Sequence, residues 1–447
     1  MKTNFRPRLW QEKALKELSN VNYSALVEAP TAAGKTVFAM MAIDMLKFRK
    51  PGLKTVIVVP TINLLKQWRK ELVKFLGVSE EEIGEFYGPK KDNSSGKKFM
   101  IYVINSAARD RNLFYQQLEN KFDFVIHDEV HHVGAETYKD LLKIEFSYKL
   151  GISATPDREY DSEGTKEIVK YFGTKIDVPK EHVELAPMDF NMIRVELTGD
   201  ESERYNTFRK KLGVFLSKLK RLYGLNPNSK NFFKKLKELS EAGVDEAKAY
   251  IGVIRKMENI RFTAFNKLKA VRGLANSLDK KTIIFCDRIS FVEKINLVLK
   301  KSYPDRKIFV IHSGLKKKEQ HQQLAGFKQS SNGILVAARI VDEGFDVPDA
   351  SIGVLVSFTK TKRQSIQRDG RILRYMDGKI AKKYVFVIKD IDEEDYCKLL
   401  TKMGQTQKAL KGTWLDFKDN NFGISEDFRA GFNLLHLNGL FKMEESL

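Results

Sequence analysis

Residues 29–36 read APTAAGKT and connect a strand-like run, SALVE, to a helical stretch, TVFAMMAIDMLKF. In a loop of this kind, backbone N–H groups and the helix N-terminus converge on phosphate groups. Lys35 would neutralise the β- and γ-phosphates of a nucleotide, and Thr36 would offer its hydroxyl to Mg²⁺. Ala29 replaces the usual first glycine, so the common phosphate-loop pattern is not met in full. The nucleotide-contacting residues predicted for this loop are Pro30, Thr31, Ala32, Ala33, Gly34, Lys35 and Thr36.

A pair of acidic residues ends the apolar run FDFVIHDE downstream of this loop. Asp128 is the candidate for a second Mg²⁺ anchor, because the metal of a bound nucleotide needs a carboxylate at the end of a neighbouring strand. Glu129 could accept a proton from the attacking water. His131 could bond to the Ser153–Thr155 segment or to another lobe of the protein. Together with the loop, these residues predict hydrolysis of a nucleoside triphosphate.

A glutamine near the N-terminus, Gln11 in FRPRLWQ, stands 24 residues before Lys35 and next to a predicted helix. Its amide has one donor side and one acceptor side, which is the pair needed to bind the N6 and N7 edge of adenine. We therefore expect ATP, with Mg²⁺, rather than another nucleotide.

Parallel strands must place these residues, and the sequence provides two sets of them. Short β-branched runs alternate with amphipathic helical stretches over residues 24–180 and again over 281–390, which predicts an α/β fold with two similar parallel-sheet lobes. The first set is SALVEAP, TVIVVP, FMIYVIN, FDFVIHD and YKLGISAT, and the second is TIIFCD, KIFVIHS, GILVAA, SIGVLVS and KYVFVIKD.

The predicted organisation has four parts. These are lobe 1 with the nucleotide site over 1–190, a helical insert or linker over 191–270, lobe 2 over 271–395, and a short helical C-terminal tail over 396–447. Residues 199–270 contain 17 Lys or Arg against 8 Asp or Glu, so the insert is basic and could contact DNA.

The whole chain is basic, with 78 Lys and Arg against 58 Asp and Glu and a formal charge of +20. Basic surfaces attract phosphate backbones, so a polyanion is the expected large partner. Two cysteines, the absence of an apolar signal core and the absence of any run of about 18 apolar residues argue against a disulfide framework, secretion and membrane spanning. We expect a cytoplasmic protein of a prokaryotic or viral host cell.

Seven elements resemble, in order and position, the motif series of superfamily 2 helicases: APTAAGKT, VVPT, DEVH, SATP, IIFCD, EGFDVP and QRDGRILR. The resemblance covers residues 5–390. Within that superfamily, DEVH, SATPDR and QRDGRILR look most like the DExH helicases of the XPB and UvsW-like branch, which includes compact phage branch-migration helicases. The resemblance implies two tandem RecA-like lobes.

The resemblance also implies roles for residues outside the nucleotide loop. It places Gln367, Gly370, Arg371 and Arg374 on a helix of the second lobe, where arginines would stabilise charge on the γ-phosphate. Glu343 and Asp346 of EGFDVP would lie near the nucleotide ribose and the contacts between lobes, and Gly344 of the same motif would contact the nucleotide. Residues expected along a nucleic-acid strand are Pro60, Thr61, Ser106, Ser313 and Arg339.

The function expected from these features is an ATP-dependent DNA helicase or translocase acting as a monomer on single-stranded, forked or branched DNA. Unwinding, fork regression or branch migration in replication, recombination or repair would all fit. A DExH RNA helicase is the nearest alternative, because contacts to the 2′-hydroxyl cannot be read from the sequence. A nucleotide-gated clamp that binds nucleic acid without moving is a further one. A restriction-complex motor would need a nuclease carboxylate cluster, which the sequence does not offer.

Overall fold

The structure of the chain is a computed structural model. It describes residues 6–118, 121–158, 161–179, 183, 186–229, 231–338, 350–357, 362–372 and 380–431. The chain divides into two compact units. The first unit is built on Met1–Pro187, and the second on Met188–Ile340, Ala350–Lys362 and Ala381–Leu447. Helix α13 (Lys362–Ile372) precedes the last part of the second unit in the chain, yet from Arg363 onward its contacts assign it to the first unit.

The first unit contains an eight-stranded sheet with the order β4-β3-β5-β2-β6-β7-β1-β8. All neighbours pair in parallel except β3 and β4. The strands are β1 Ser24–Glu28, β2 Thr55–Val59, β3 Ile83–Tyr87, β4 Lys90–Lys91, β5 Phe99–Val103, β6 Phe124–Asp128, β7 Tyr148–Ser153 and β8 Thr174–Asp177.

Helices cover both faces of this sheet. They are α1 Leu9–Asn20, α2 Lys35–Arg49, α3 Ile62–Leu76, α4 Ile104–Arg109, α5 Arg111–Leu118 and α6 Ser162–Phe172, with 3₁₀ turns at Glu80–Glu82, Val130–His132 and Lys139–Lys143. Alternate residues of β2 enter different cores, because side chains of a strand point to opposite faces. Ile57 packs in the core that includes α2 and α3, and Val58 in the core that includes α5 and α6. The sheet is therefore buried on both faces, and its strand ends are left to carry polar residues.

The second unit contains another eight-stranded sheet, with the order β11-β12-β10-β13-β14-β9-β15-β16. Only β15 and β16 pair antiparallel. The strands are β9 Met188–Val195, β10 Thr282–Cys286, β11 Ile308–Ile311, β12 Ile334–Ala338, β13 Ile352–Leu355, β14 Ala381–Ile388, β15 Thr413–Lys418 and β16 Asn421–Ile424. Its helices are α10 Phe265–Ala275, α11 Ile289–Ser302, α12 Lys317–Gln329, α14 Glu393–Met403 and α15 Thr406–Leu410.

Three further helices form the insert, and they belong to the second unit. They are α7 Gly199–Tyr223, α8 Phe232–Glu241 and α9 Asp245–Thr263. Leu219, Phe232, Leu236 and Tyr250 form a small core between these helices that is separate from the core of the sheet. The insert thus has packing of its own, and most of the side chains along α7 remain exposed.

The ten strands expected from the sequence are all present, but two parts of the prediction differ from the structure. Strand β9 occupies residues 188–195, so the stretch 191–270 is not helical throughout, and the chain enters the second sheet before residue 190. The C-terminal tail is not purely helical either, because it supplies β15 and β16.

Arg194 explains why β9 does not look like a strand in the sequence. Its guanidinium is buried and donates hydrogen bonds to both carboxylate oxygens of Asp416 in β15, at 2.5 and 2.8 Å, and to Asp427 at 2.9 Å. The charge inside the sheet is therefore neutralised by partners more than two hundred residues away. Among the described residues, no helix has both the length and the apolar content needed to cross a lipid bilayer.

Candidate active site

The phosphate loop between β1 and α2 has an unusual backbone. Ala32 has a φ of 66° and Gly34, the N-cap of α2, a φ of 91°. Left-handed conformations of this kind create concavities of backbone N–H groups that bind anions, and a non-glycine residue in this region is strained. The strain at Ala32 therefore points to a functional loop rather than an ordinary turn.

Residues at the start of α1 brace this loop. The Trp10 indole donates to the Ala33 carbonyl at 3.1 Å, and Arg8 donates to the same carbonyl at 3.2 Å. The amide of Gln11 is buried, donates to the Gly34 carbonyl at 3.1 Å and accepts from the Arg8 N–H at 2.8 Å. Gln11 thus lies beside the phosphate loop, as a nucleotide contact requires, and its contact with adenine stays a prediction.

The loop has polar groups that suit a phosphate. Lys35 Nζ donates to the carbonyls of Ala29 and Pro30, both at 3.3 Å, so the ammonium group lies over the loop. The hydroxyl of Thr31 is buried and forms no hydrogen bond among the described residues. A buried polar atom without a partner costs free energy unless a ligand or water supplies one. These residues therefore fit a bound triphosphate.

Helix α13 meets the loop at one glycine. A Cβ added at Gly370 would lie 2.1 Å from Cγ2 of Thr31, so only glycine permits this approach. Gln367 is buried in the same helix. The side chain of Arg371 is outside the described residues, as are Arg374, Gly344, Asp346 and Arg339. Their predicted roles stay predictions.

Asp128, at the end of β6, is held in one orientation by two hydrogen bonds. The indole of Trp68 donates to Oδ2 at 2.8 Å, and the N–H of Glu129 donates to Oδ1 at 3.0 Å. Burial and the negative charge of Glu129 raise the pKa of Asp128 to about 6, while Trp68 and the charge of Lys35 act in the opposite direction. A buried carboxylate beside a lysine, with its remaining lone pairs free to ligate, suits a Mg²⁺ ligand.

Glu129 and His131 converge on one hydroxyl. Glu129 has a left-handed backbone, with φ at 50°, and its Oε2 lies 3.3 Å from Oγ of Ser153 and 3.5 Å from Nδ1 of His131. Ser153 Oγ also accepts from the N–H of Thr155 and contacts His131 Nδ1, each at 3.1 Å. Because a hydroxyl has a single proton, Ser153 can donate to an ionised Glu129 and also bond to His131 only if His131 carries a proton on Nδ1. The cluster thus joins the candidate base to the SATP segment, which confirms the expected contact of His131 with that segment.

Arg158 connects the 3₁₀ turn that contains His131 to the segment that follows Ser153. Its guanidinium donates to the backbone carbonyl of His131 and, at 2.8 Å, to Asp161, the N-cap of α6. The 3₁₀ turn that contains His131 is therefore held on the segment following Ser153.

The residues expected to contact nucleic acid are less informative. Thr61 caps α3 by accepting from the N–H of Leu64 at 3.3 Å, and Ser106 accepts from the N–H of Gly88 at 3.1 Å. Pro60 is buried after β2, and Ser313 is exposed after β11. Each hydroxyl thus accepts one structural bond, which does not use its O–H donor, and contact with a strand stays a prediction.

Sequence reasoning missed Arg8, Trp10, Trp68 and Arg158. Trp68 lies on the apolar face of an amphipathic helix, where an aromatic residue is expected simply to pack. The one available signal was that a buried indole needs an acceptor for its N–H, and the nearby acidic strand end is a natural one.

Comparisons with known proteins identify the family and the fold. A family model described as "Type III restriction enzyme, res subunit" matches residues 4–158, and one described as "Helicase conserved C-terminal domain" matches residues 265–376. The helicase domain of Hef from Pyrococcus furiosus superposes with a TM-score of 0.58 at 19% identity, covering 88% of this chain and 97% of that one. This similarity supports the tandem RecA-like fold.

Two curated relatives are more specific. The chain is 31% identical to the DNA 3'-5' translocase XPB2 of Sulfurisphaera tokodaii over 79% of its own length and 75% of the relative's. It is 25% identical to the DNA 3'-5' helicase XPB of Mycobacterium tuberculosis, over 87% of its own length and 62% of that protein's. The phosphate loop, the buried carboxylate beside it and these relatives together show that the chain belongs to the XPB-like family of superfamily 2 helicases, which hydrolyse ATP.

Proposed function

We propose that this chain is an ATP-dependent DNA translocase and helicase that moves in the 3′ to 5′ direction. The single observation that carries the proposal is the assembly of the phosphate loop, Asp128 and the Glu129–Ser153–His131 cluster at one end of one sheet. The names of the two curated relatives support DNA as the track and the polarity.

In this proposal each residue of the site has a definite task. Lys35 and the loop N–H groups would hold the phosphates of ATP, and Thr36 and Asp128 would hold its Mg²⁺. The metal, when bound, would neutralise charge that develops between the phosphates. Trp68 fixes the carboxylate of Asp128 so that its orientation does not depend on the metal.

Glu129 would act as the general base. Its side chain is 23% exposed, so a water molecule can reach it. Ser153 donates to the carboxylate and leaves lone pairs of that carboxylate for the attacking water. When Glu129 takes up a proton the bond from Ser153 weakens, and this change reaches the N–H of Thr155 through the same hydroxyl. Hydrolysis of ATP would thereby change the hydrogen bonding of the SATP segment.

The arginines after EGFDVP would complete the site. Gly370 brings α13 against the phosphate loop; Arg371 is the next residue in the chain, and Arg374 comes four positions after the glycine. An arginine placed beside the γ-phosphate increases the rate by about 10³–10⁵ in related phosphoryl-transfer reactions. We propose that Arg374 acts in this way and that Gln367 of α13 assists it.

The substrate within DNA is a narrower proposal. Fork regression or branch migration, and roles in replication or recombination, are suggested by the resemblance to UvsW-like helicases. We further propose that the protein works as a monomer and that its two sheets, in residues 24–177 and 188–424, form the two motor lobes, with the insert carried by the second.

A strand-displacement panel tests the proposal. Forks, four-way junctions and duplexes with a 3′ or a 5′ single-stranded tail would be compared at one salt concentration, together with an RNA duplex of the same sequence. We expect ATP-dependent displacement of the DNA duplex with a 3′ tail and none with Lys35→Ala. Displacement of RNA alone would establish the RNA helicase, and DNA-stimulated ATP hydrolysis without displacement or translocation would establish the clamp.

A further inference from the structure

A basic trough runs along the helical insert. Two adjoining cavities, of about 790 and 320 Å³, share Gly252 and Arg255 of α9. The larger one is also lined by Arg204 and Phe208 of α7 and by Arg288, which follows β10. The smaller one extends the trough toward α8. Because they meet at α9, the two cavities form one continuous surface within the second unit.

The charge of this surface is strongly one-sided. Its cationic lining residues are Arg204, Lys237, Lys248, Arg255, Lys256 and Arg288. Against these six stand two carboxylates, those of Glu241 and Glu258. The trough therefore has an excess of four positive charges. Its ratio of cations to carboxylates, six to two, is higher than the ratio of 78 to 58 in the whole chain.

Several of these cations have no intramolecular counter-charge. Arg204 and Arg255 are exposed and form no side-chain hydrogen bond or ion pair within the described part of the chain. Lys256 lies over the ring of Phe208, 5.6 Å from its centroid, which leaves the ammonium charge unneutralised. Elsewhere in the same unit, the buried Arg194 and the largely buried Arg261 are matched by carboxylates. The trough is thus a place where positive charge is concentrated and left for a ligand.

The trough also leads to the functional edge of the second sheet. Arg288 is the N-cap of α11 at the carboxyl end of β10, and ligands of parallel α/β sheets bind beyond the carboxyl ends of the strands. Its pair with Glu258 of α9, at 3.5 Å, connects that edge to the insert. Six cations spread over two adjoining cavities match a polymer of phosphates better than a single anion.

We propose that the trough binds the phosphodiester backbone of nucleic acid and holds it against the carboxyl edge of the second sheet. This inference rests on the proposed function, and it names the part of the insert that makes the contact. Backbone contacts position a strand without reading its sequence, so the binding should not depend on base composition.

The first test removes two unpaired charges. Arg204→Gln with Arg255→Gln is compared with Lys210→Gln with Lys220→Gln, which removes two exposed cations of α7 that line neither cavity. Binding of fluorescein-labelled duplex DNA, and of one of its strands alone, is followed by fluorescence anisotropy over a series of salt concentrations. Helix content and thermal unfolding of each variant are measured by circular dichroism.

The expected result is quantitative. Each lost phosphate contact lowers the slope of log K against log salt by about 1. Each phosphate contact releases counterions and gives a slope of about 0.9, so it makes binding roughly eightfold tighter at 0.1 M salt than at 1 M. A variant that lacks the contact loses this gain. The trough variant should therefore lose a slope of about 2 and the α7 variant much less. Equal losses in both variants, or none in the trough variant, would overturn the proposal.

A second test fills the trough without removing a native side chain. A Cβ added at Gly252 or at Gly213 meets nothing within 4 Å, and both glycines lie in helices of the insert. Gly252→Glu puts a carboxylate into the trough, and Gly213→Glu makes the same change of charge outside it. Only Gly252→Glu should weaken DNA binding, and equal binding by the two variants would contradict the proposal.

The two inferences can fail separately. If the wild-type chain binds neither duplex nor single strand, the proposed function itself fails. If it binds and the trough variants bind as tightly with an unchanged salt slope, only the trough is refuted. A loss confined to the duplex, or to the single strand, supports the trough and identifies which form of the backbone it holds.

Discussion

The hydrogen bond from Trp68 to Asp128 offers a sharp test of the proposed metal site. Trp68→Phe removes the indole N–H but keeps an aromatic ring in the core beneath α3. The bond goes to a carboxylate that is buried and already difficult to ionise, with a pKa raised to about 6. Losing a donor to the charged form must raise that pKa further.

The size of the effect follows from the strength of the bond. A hydrogen bond to an ionised group contributes about 1.5–3 kcal/mol. One pKa unit corresponds to about 1.4 kcal/mol, so the pKa of Asp128 should increase by about one to two in the variant. At neutral pH a proton would then compete with Mg²⁺ for the carboxylate. Loss of a partner that orients a metal ligand typically lowers metal affinity or activity by about 10–100-fold. An increase of about one to two in the pKa corresponds to the same factor in proton affinity.

The assay is DNA-stimulated ATP hydrolysis titrated with Mg²⁺ at several pH values. We expect the Mg²⁺ concentration for half-maximal activity to rise by about 10–100-fold in Trp68→Phe. The difference should be larger at acidic than at alkaline pH, because Asp128 is ionised in both proteins once the pH exceeds both pKa values. Excess Mg²⁺ should restore much of the turnover.

Trp414→Phe is the matched control. Its buried indole donates to the Ala409 carbonyl at 3.1 Å in the second unit, so the same substitution removes an equivalent bond far along the chain from the phosphate loop. This variant should lose some stability while its Mg²⁺ dependence stays that of the wild type. If Trp68→Phe and Trp414→Phe gave the same Mg²⁺ and pH profiles, Trp68 would have only a packing role and the reasoning would be refuted.

Three further changes have defined outcomes. Glu129→Gln should lower ATP turnover by about 10²–10⁴-fold and leave ATP binding intact in a fluorescent-nucleotide titration, and displacement at the normal rate would show that another group is the base. Gly370→Ala puts a Cβ 2.1 Å from a side chain of the phosphate loop. The overpacking costs about 1–3 kcal/mol and should weaken nucleotide binding about five- to hundredfold. An unchanged nucleotide affinity would show that α13 can move away from the loop without loss of binding. Arg194→Met should lower the free energy of unfolding in urea by about 2–3 kcal/mol, less than the usual cost of breaking a buried pair because Asp427 is exposed. Hydrogen bonds from Ser425 and Arg194 lower the pKa of Asp427, so the ionised carboxylate stabilises the fold above its unfolded pKa, and this contribution is lost as the pH falls through the folded pKa. The free energy of unfolding of Arg194→Met should therefore depend less on acid pH. An acid transition equal to that of the wild type would count against the bond between Arg194 and Asp427.

The motif-bearing strands were predictable because local pattern decides them. TVIVV and FVIHD are buried runs bounded by polar residues, and both form strands where expected. The phosphate loop and the Asp128–Glu129 pair were predictable for the same reason, since a parallel sheet brings the carboxyl ends of its strands to one edge. The expected contact of His131 with the SATP segment also follows from that geometry.

Strands with buried charge could not be predicted in this way. Strand β3, IGEFY, contains Glu85, which is 6% exposed and bonded to Arg69 and Lys90. Its glycine, Gly84, lies against the side chain of Met100, whose sulfur would be 2.2 Å from an added Cβ and would have to move. Both facts depend on the folded neighbours, which a sequence window does not contain. Trp68 and Arg158 were missed at the site for the same reason, because their partners are brought near only by the sheet.

Strand β9 determines where the chain can be divided. It pairs with β14 through residues 188–195 and with β15 through 191–195, so both neighbours depend on it. A fragment that began after residue 270 would expose one edge of β14 and release the β15–β16 hairpin, and an open edge is a template for aggregation. A fragment that begins at Met188 keeps the sheet whole. The insert is consequently a surface insertion within one folding module, and its length and charge can diverge among relatives while both sheets remain intact.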